Sequence, residues 1–252
     1  MLGSNFEASE LAIIVGVFLL AGIVKGVVGL GLPTVAIGLL TALIGLSEGM
    51  VLMVIPSLVT NLWQALSGGA FVTIVRRVWA LLLTIFIGAW IGVNIFGRSD
   101  AILLTAFLGA LLCAYALFGL TSPKLPSPGR HEGWLSPVLG IINGIITGLT
   151  GTFFIPGLPY LQTLGFPRDA LVQAMGILFL TSTAALAIAL AGQGRVNVEI
   201  GAVSALAILP ALLGMGLGAR LRRRLSEQRF RQALFIAIML LGIYIAVRAL
   251  VL

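Results

Sequence analysis

Lys25 is the charged residue of an otherwise apolar stretch, Gly22–Pro33, which reads GIVKGVVGLGLP. Gly22, Gly26, Gly29 and Gly31 surround it, and Pro33 closes the run. Among apolar residues this pattern reads as a helix that stops and restarts. Gly29 and Gly31 permit the turn, and Pro33 suits the first turn of a new helix, where its missing N–H is not needed. Broken backbone at membrane depth persists only where protein buries it or where it lines a cavity. The stretch is therefore a candidate ligand site, and the lysine ammonium makes an anion the expected ligand. Two plainer readings stand beside it. Glycines four apart let helices pack closely, and a lysine can snorkel to an interface.

A second break, Gly148–Pro156 (GLTGTFFIP), repeats the pattern with Thr147 in place of the lysine. Helices restarting at Pro33–Thr34 and Pro156–Gly157 would aim partial positive charge at whatever lies between them. The candidate cradle is Lys25, Gly29, Gly31 and Thr34 on one side, with Thr150, Gly151 and Thr152 on the other. Each following segment carries neutral hydrogen-bonding groups: Thr60, Asn61 and Gln64 first, then Thr181, Ser182 and Thr183. Such groups can receive an oxyanion stripped of water without trapping it, and they also serve ordinary helix–helix bonding. Asn61 and Gln64 are the stronger candidates, with Thr181 and Ser182 as their counterparts. Trp63, beside this cluster, is expected to line the pathway.

The eight acidic residues fall at segment ends or in loops, which leaves no obvious proton relay or sodium cage across the membrane. Glu48 and Asp169 begin segments at matched positions and suit helix starts; Arg168 reads as an interfacial anchor. The lone Cys113 rules out a disulfide framework, and the lone His131 lies in a loop. No metal or other cofactor is expected. A membrane-embedded hydrolase would need a nucleophile and a base at depth, and Ser182 has no evident partner. The chain is not expected to be an enzyme.

The elements that must position these residues follow from composition. Of 252 residues, 60% are hydrophobic and 9% charged, where a soluble domain carries about 25% charge. The chain reads as an all-α polytopic integral membrane protein. Its net charge of +7 belongs to loops on the cytoplasmic face rather than to nucleic-acid binding. Apolar segments are expected at 10–28, 33–46, 49–71, 78–97 and 101–121, then at 135–150, 155–165, 170–192, 198–219 and 233–252. The 33–46 and 155–165 segments are shorter than the roughly 20 residues that span a bilayer, so each reads as the second arm of a hairpin.

A shift of 122 carries Gly22, Ile23, Gly26 and Gly29 onto Gly144, Ile145, Gly148 and Gly151, and Ala89, Gly92 and Arg98 onto Ala211, Gly214 and Arg220. The expected organisation is an N-terminal repeat over 1–121, a cytoplasmic linker over 122–134 and a C-terminal repeat over 135–252. With each hairpin returning to its own side, one face gathers Arg76, Arg77, Lys124, Arg130, Arg168, Arg220, Arg222, Arg223, Arg224, Arg229 and Arg231. The other face gathers Arg98, Arg195 and Arg248, eleven basic residues against three. Single crossings would divide them eight against six, so the positive-inside rule selects the hairpin. Both termini then lie on the non-cytoplasmic side, and the halves form two inverted-topology repeats, each a broken helix hairpin followed by three transmembrane helices.

These motifs, together with LGFPRDALVQAMGILFLTST (164–183), resemble the TauE/SafE family of membrane anion permeases over roughly residues 10–250. The resemblance implies transport of sulfite, sulfoacetate or a related organosulfonate. The first break is less glycine-dense than the family's, and Phe153 and Phe154 make the second bulkier, which would narrow a cavity or favour an organic tail on the anion. The expected function is a secondary transporter of the inner membrane working by alternating access. A passive anion channel and a structural membrane subunit are the alternatives. The expected partners are a small anion, the lipid bilayer and a second copy of the chain in a homodimer.

Overall fold

The computed structural model describes residues 6–29, 31–123, 125–222 and 224–251. Leu30 of the first break, and Lys124 and Arg223 of the basic set, lie outside the described residues. Among those described, the protein is all α-helix without a strand: α1 (Ala8–Val28), α2 (Leu32–Leu43), α3 (Leu46–Leu52), α4 (Val54–Leu66), α5 (Phe71–Phe96), α6 (Ala101–Thr121), α7 (Glu132–Thr150), α8 (Gly157–Thr163), α9 (Arg168–Gly192), α10 (Val198–Leu206), α11 (Ile208–Leu221) and α12 (Glu227–Val251).

Among the described residues, seven helical stretches are long and apolar enough to cross a membrane, α10 and α11 counting as one, or eight if the bent pair α3–α4 is one span. The expected short arms are short. α2 has 12 residues and α8 has seven. α1 begins at Ala8 because Glu7 and Glu10 close a reciprocal capping box ahead of it.

Two boundaries differ from expectation for identifiable reasons. Instead of starting at residue 78, α5 starts at Phe71 and carries a non-helical Val78. Arg76 and Arg77 look like a segment end in sequence, yet the Arg77 guanidinium stays on the helix by pairing with Glu132 at 2.9 Å. The expected 49–71 segment begins at Leu46 and bends by 43° at Met53, three residues before Pro56. A proline removes one backbone donor and crowds the carbonyl four residues back. That carbonyl, of Leu52, instead accepts the hydroxyl of Ser204 on α10 at 2.7 Å. The break between α10 and α11 at Ala207 likewise precedes Pro210 by three residues.

Glycine sets the main helix crossings. A Cβ on Gly88 or Gly92 of α5 would lie 2.9 Å from the Cα of Gly144 or Gly148 on α7. Gly22 and Gly26 of α1 stand as closely against Gly214 and Gly218 of α11, and Gly109 of α6 against the backbone of Gly242 on α12. Close approach of this kind lets dispersion act between helices where lipid offers no hydrophobic drive. The 122-residue offset relates the first two crossings, because it carries Gly22 and Gly26 onto Gly144 and Gly148 and Gly92 onto Gly214. Thus α1 packs on a helix of the other half, and so does α7.

Replacing Gly88 by Val should lower the melting temperature of the purified protein, with a cost of roughly 1–3 kcal/mol from overpacking. Gly201→Ala, at a position with nothing within 4 Å of an added Cβ, should leave it unchanged. Equal melting temperatures for wild type and Gly88→Val would show that this crossing does not hold the bundle together.

Candidate functional site

Lys25 sits in the last turn of α1, just before the helix stops at Gly29 in a left-handed conformation (φ 82°). Gly31, at φ 105°, starts α2, with Pro33 in its first turn. The Lys25 side chain is only 4% exposed. Its Nζ donates to Asn61 Oδ1 at 2.5 Å and to Thr60 Oγ1 at 3.2 Å, both on α4. The Thr60 hydroxyl donates onward to Pro56 O, which turns its lone pairs toward the ammonium. Asn61 Nδ2 donates to Thr183 Oγ1 on α9 at 3.4 Å, and Thr183 donates to Phe179 O. Residues 61 and 183 are separated by the repeat offset itself, so this cluster lies where the two halves meet.

Both partners of the lysine are neutral. An ion pair does form between Arg77 and Glu132, away from this cluster. A desolvated ammonium costs on the order of several kcal/mol, and neutral hydrogen bonds return only part of that. A negative guest would return more.

The neutral groups form a stripe. Ser57, Thr60, Asn61 and Gln64 fall at helical spacing on one buried face of α4. Gln64 Nε2 donates to Val172 O at 3.0 Å, while Gln64 Oε1 and the Ser57 hydroxyl have no partner among the described residues. Trp63, expected along the pathway, instead points outward and is 73% exposed. It lies two positions beyond Asn61, about 200° around the helix.

The first break opens on a cavity of about 1030 Å³. Val28, Gly29, Ser67, Gly68 and Gly69 line it together with Arg168, Asp169, Val172, Arg222 and Arg231. Its wall thus includes the residue whose carbonyl holds Gln64 and the end of the helix that carries Lys25. Arginines read as an anchor and as orientation signals in sequence converge here from α9, the end of α11 and α12. A positively lined recess concentrates anions.

The second break is built differently. Gly151 (φ 71°) stops α7 and lies beside Ile37 of α2 and Met50 of α3. The Thr150 and Thr152 hydroxyls bond each other at 2.7 Å, and Thr150 also donates to Ile146 O. Expected to face a ligand, the first N–H of α8 is taken by Asn143 Oδ1 at 3.0 Å (Gly157 N), and Asn143 Nδ2 donates to the Ser182 hydroxyl at 3.3 Å. Ser182 therefore serves this second cluster, whereas its neighbour Thr183 serves Asn61. Thr181 is half-buried, and Thr34 is buried in the first turn of α2. Phe153 packs on Phe179 and Phe154 on Tyr115, with ring centroids 5.5 and 4.1 Å apart. The structure therefore places Gly29 in the wall of the recess, with Lys25 and Asn61 bonded to each other behind it and Gln64 bonded to Val172 of that wall. Thr150, Gly151, Thr152 and Ser182 form a separate, self-satisfied break. Asn143 was missed in the sequence, although it is a solitary amide in the apolar run IINGII.

A family model described as "Sulfite exporter TauE/SafE" matches residues 14–245. A curated relative from Haemophilus influenzae, "Probable membrane transporter protein", is 27% identical over 179 residues, covering 64% of this chain and 68% of the relative. No solved structure matches the chain.

Asn61→Leu leaves Lys25 Nζ and Thr183 Oγ1 each short of a partner, and should destabilise the protein by roughly 1–3 kcal/mol. Adding Lys25→Met removes the stranded charge and should restore much of that loss in a double-mutant cycle followed by thermal unfolding. Strict additivity of the two changes would show that the ammonium and the amide are energetically independent.

Proposed function

The chain belongs to the TauE/SafE family, and from that premise we propose that it is a secondary transporter for a small sulfur-containing or organic anion, such as sulfite, sulfoacetate or a related organosulfonate. The observation that carries this reading is the buried Lys25 ammonium with two neutral partners, one helical turn from a backbone break that opens on an arginine-lined recess. The anion enters the recess, where arginines concentrate it, and reaches Lys25 past Gly29. There the lysine supplies charge while Asn61 Nδ2, Gln64 Nε2 and the hydroxyls of the α4 stripe can turn toward oxyanion oxygens. Neutral donors let the ion leave again, as a carrier requires.

Residues 1–121 and 135–252 act in this reading as two inverted repeats joined by the 122–134 linker. The glycine crossings are smooth surfaces on which one bundle can tilt against the other, moving access between faces around a fixed site. The chain resides in the cell inner membrane with both termini outside the cytoplasm, so the arginine recess opens inward. The reading is transport rather than catalysis; His131 is exposed at the surface and accepts a bond from Trp134.

Lys25→Gln should cut binding and transport roughly 10- to 100-fold, the loss expected for about 1.4–2.8 kcal/mol of charge-assisted bonding. Counterflow of labelled sulfite or sulfoacetate into proteoliposomes reads both binding and mode. Wild-type protein should show transient accumulation against unlabelled internal substrate, which a pore cannot give. Wild-type counterflow from Lys25→Gln would remove the lysine from the site. A C-terminal alkaline phosphatase fusion, active outside the cytoplasm, should be active in cells; activity from a cytoplasm-only reporter instead would reverse the assigned orientation.

A further inference from the structure

At the end of α12 remote from the arginine recess lies a second cavity of about 530 Å³. Thr41, Glu48, Phe96, Ile102, Tyr244 and Arg248 are among its lining residues. Thr41 is 8% exposed, and its buried hydroxyl oxygen has no hydrogen-bond partner among the described residues. Arg248 is tied down at one corner: Nη1 donates to Ala42 O at 2.6 Å and to the Tyr244 hydroxyl at 3.4 Å. A guanidinium has five N–H groups, and these two bonds both leave from Nη1. The Glu48 carboxylate folds back toward Gly45, whose added Cβ would lie 2.8 Å from it.

The cavity does not end at its charged mouth. Tyr244 and Arg248 also border an apolar trough of about 490 Å³ on the outer face of α12, together with Leu240, Ile243, Val247 and Val251. Together the two recesses present a carboxylate and a guanidinium at one end and aliphatic surface along α12 at the other. They fit an amphiphile with both signs of charge in its head. Arginine matches phosphate oxygens with its planar fork. The carboxylate accepts hydrogen bonds, which a primary ammonium can donate and a quaternary one cannot.

We propose that this is a binding site for a phospholipid with a primary-ammonium headgroup, of the phosphatidylethanolamine type. Its phosphate lies at Arg248, its ammonium at Glu48, and an acyl chain occupies the trough along α12. The site joins the outer end of the α2 arm to α12 through the bond from Arg248 to Ala42 O, so an occupied site braces the hairpin that contains Lys25 and the first break.

The test uses the full chain, purified and delipidated in detergent. Thermal shifts are read on adding dioleoyl phosphatidylethanolamine, dioleoyl phosphatidylglycerol or dioleoyl phosphatidylcholine at equal mole fraction, with soluble phosphoethanolamine in a fourth arm. Ethanolamine lipid should raise the melting temperature most, and the soluble headgroup should have no effect. Glu48→Gln should melt like wild type without lipid, yet lose the preference for ethanolamine over choline lipid, the two shifts becoming equal. Native mass spectrometry should show one retained ethanolamine lipid on wild type and a several-fold lower occupancy on Glu48→Gln. Equal shifts from all three lipids would mean annular solvation only. A full shift from soluble phosphoethanolamine, or an unchanged preference in Glu48→Gln, would equally overturn the assignment.

Discussion

A lysine ammonium enclosed by protein, with an amide oxygen and a hydroxyl as its partners, is the constraint on which the rest of the site depends. Charge in a low-dielectric interior must be neutralised, hydrogen-bonded or relieved by a visiting ion. A carboxylate beside Lys25 would have made a closed pair with no appetite for a ligand. Asn61 and Thr60 instead hold the ammonium in place while leaving its charge uncompensated. The surrounding architecture serves that arrangement: α1 ends one turn later, α4 presents a polar face, and α9 backs Asn61 through Thr183.

Backbone is broken in this protein only at a cost, and each break shows how the cost is met. The carbonyl that Pro56 deprives of its helical partner receives the Ser204 hydroxyl. The stop at Gly151 is completed by threonine hydroxyls bonded to each other, and the restart at Gly157 by the Asn143 amide. These junctions are internally satisfied. The break at Gly29–Pro33 differs because it borders an arginine-lined cavity. The two breaks share a glycine pattern but differ in their surroundings: one borders that cavity, and the other locks against its neighbours with Phe153 and Phe154 buried around it. The bulk expected to narrow a cavity instead fills the interior, packing on Tyr115 and Phe179.

Helix–helix cohesion rests on glycine where α1 meets α11, α5 meets α7, α6 meets α12 and, at Gly176, α9 meets α4. Such surfaces bring backbone close to backbone, with Thr84 and Cys113 seated against glycines of the facing helix. Close packing of this kind also keeps backbone polar groups away from lipid.

Composition and the order of apolar runs, glycines and prolines were enough to determine an all-helical membrane protein, its two short arms and the stops at Gly29 and Gly151; they also singled out Lys25 and Asn61, though not their contact. Those features are local: a stop needs a residue that tolerates positive φ, and a span needs about 20 apolar residues. What sequence could not settle was which face each polar side chain turns to and what meets it there. Ser182 and Thr183 are adjacent, yet one reaches Asn143 and the other Asn61. Trp63 stands beside the polar cluster in sequence and on the far side of the helix in space. Arg168, Arg222 and Arg231, read separately as an anchor and as orientation signals, become one wall only when α9, α11 and α12 converge. Rotation about a helix axis and contact between distant segments are set by packing across the whole bundle, and no short stretch of sequence contains that information.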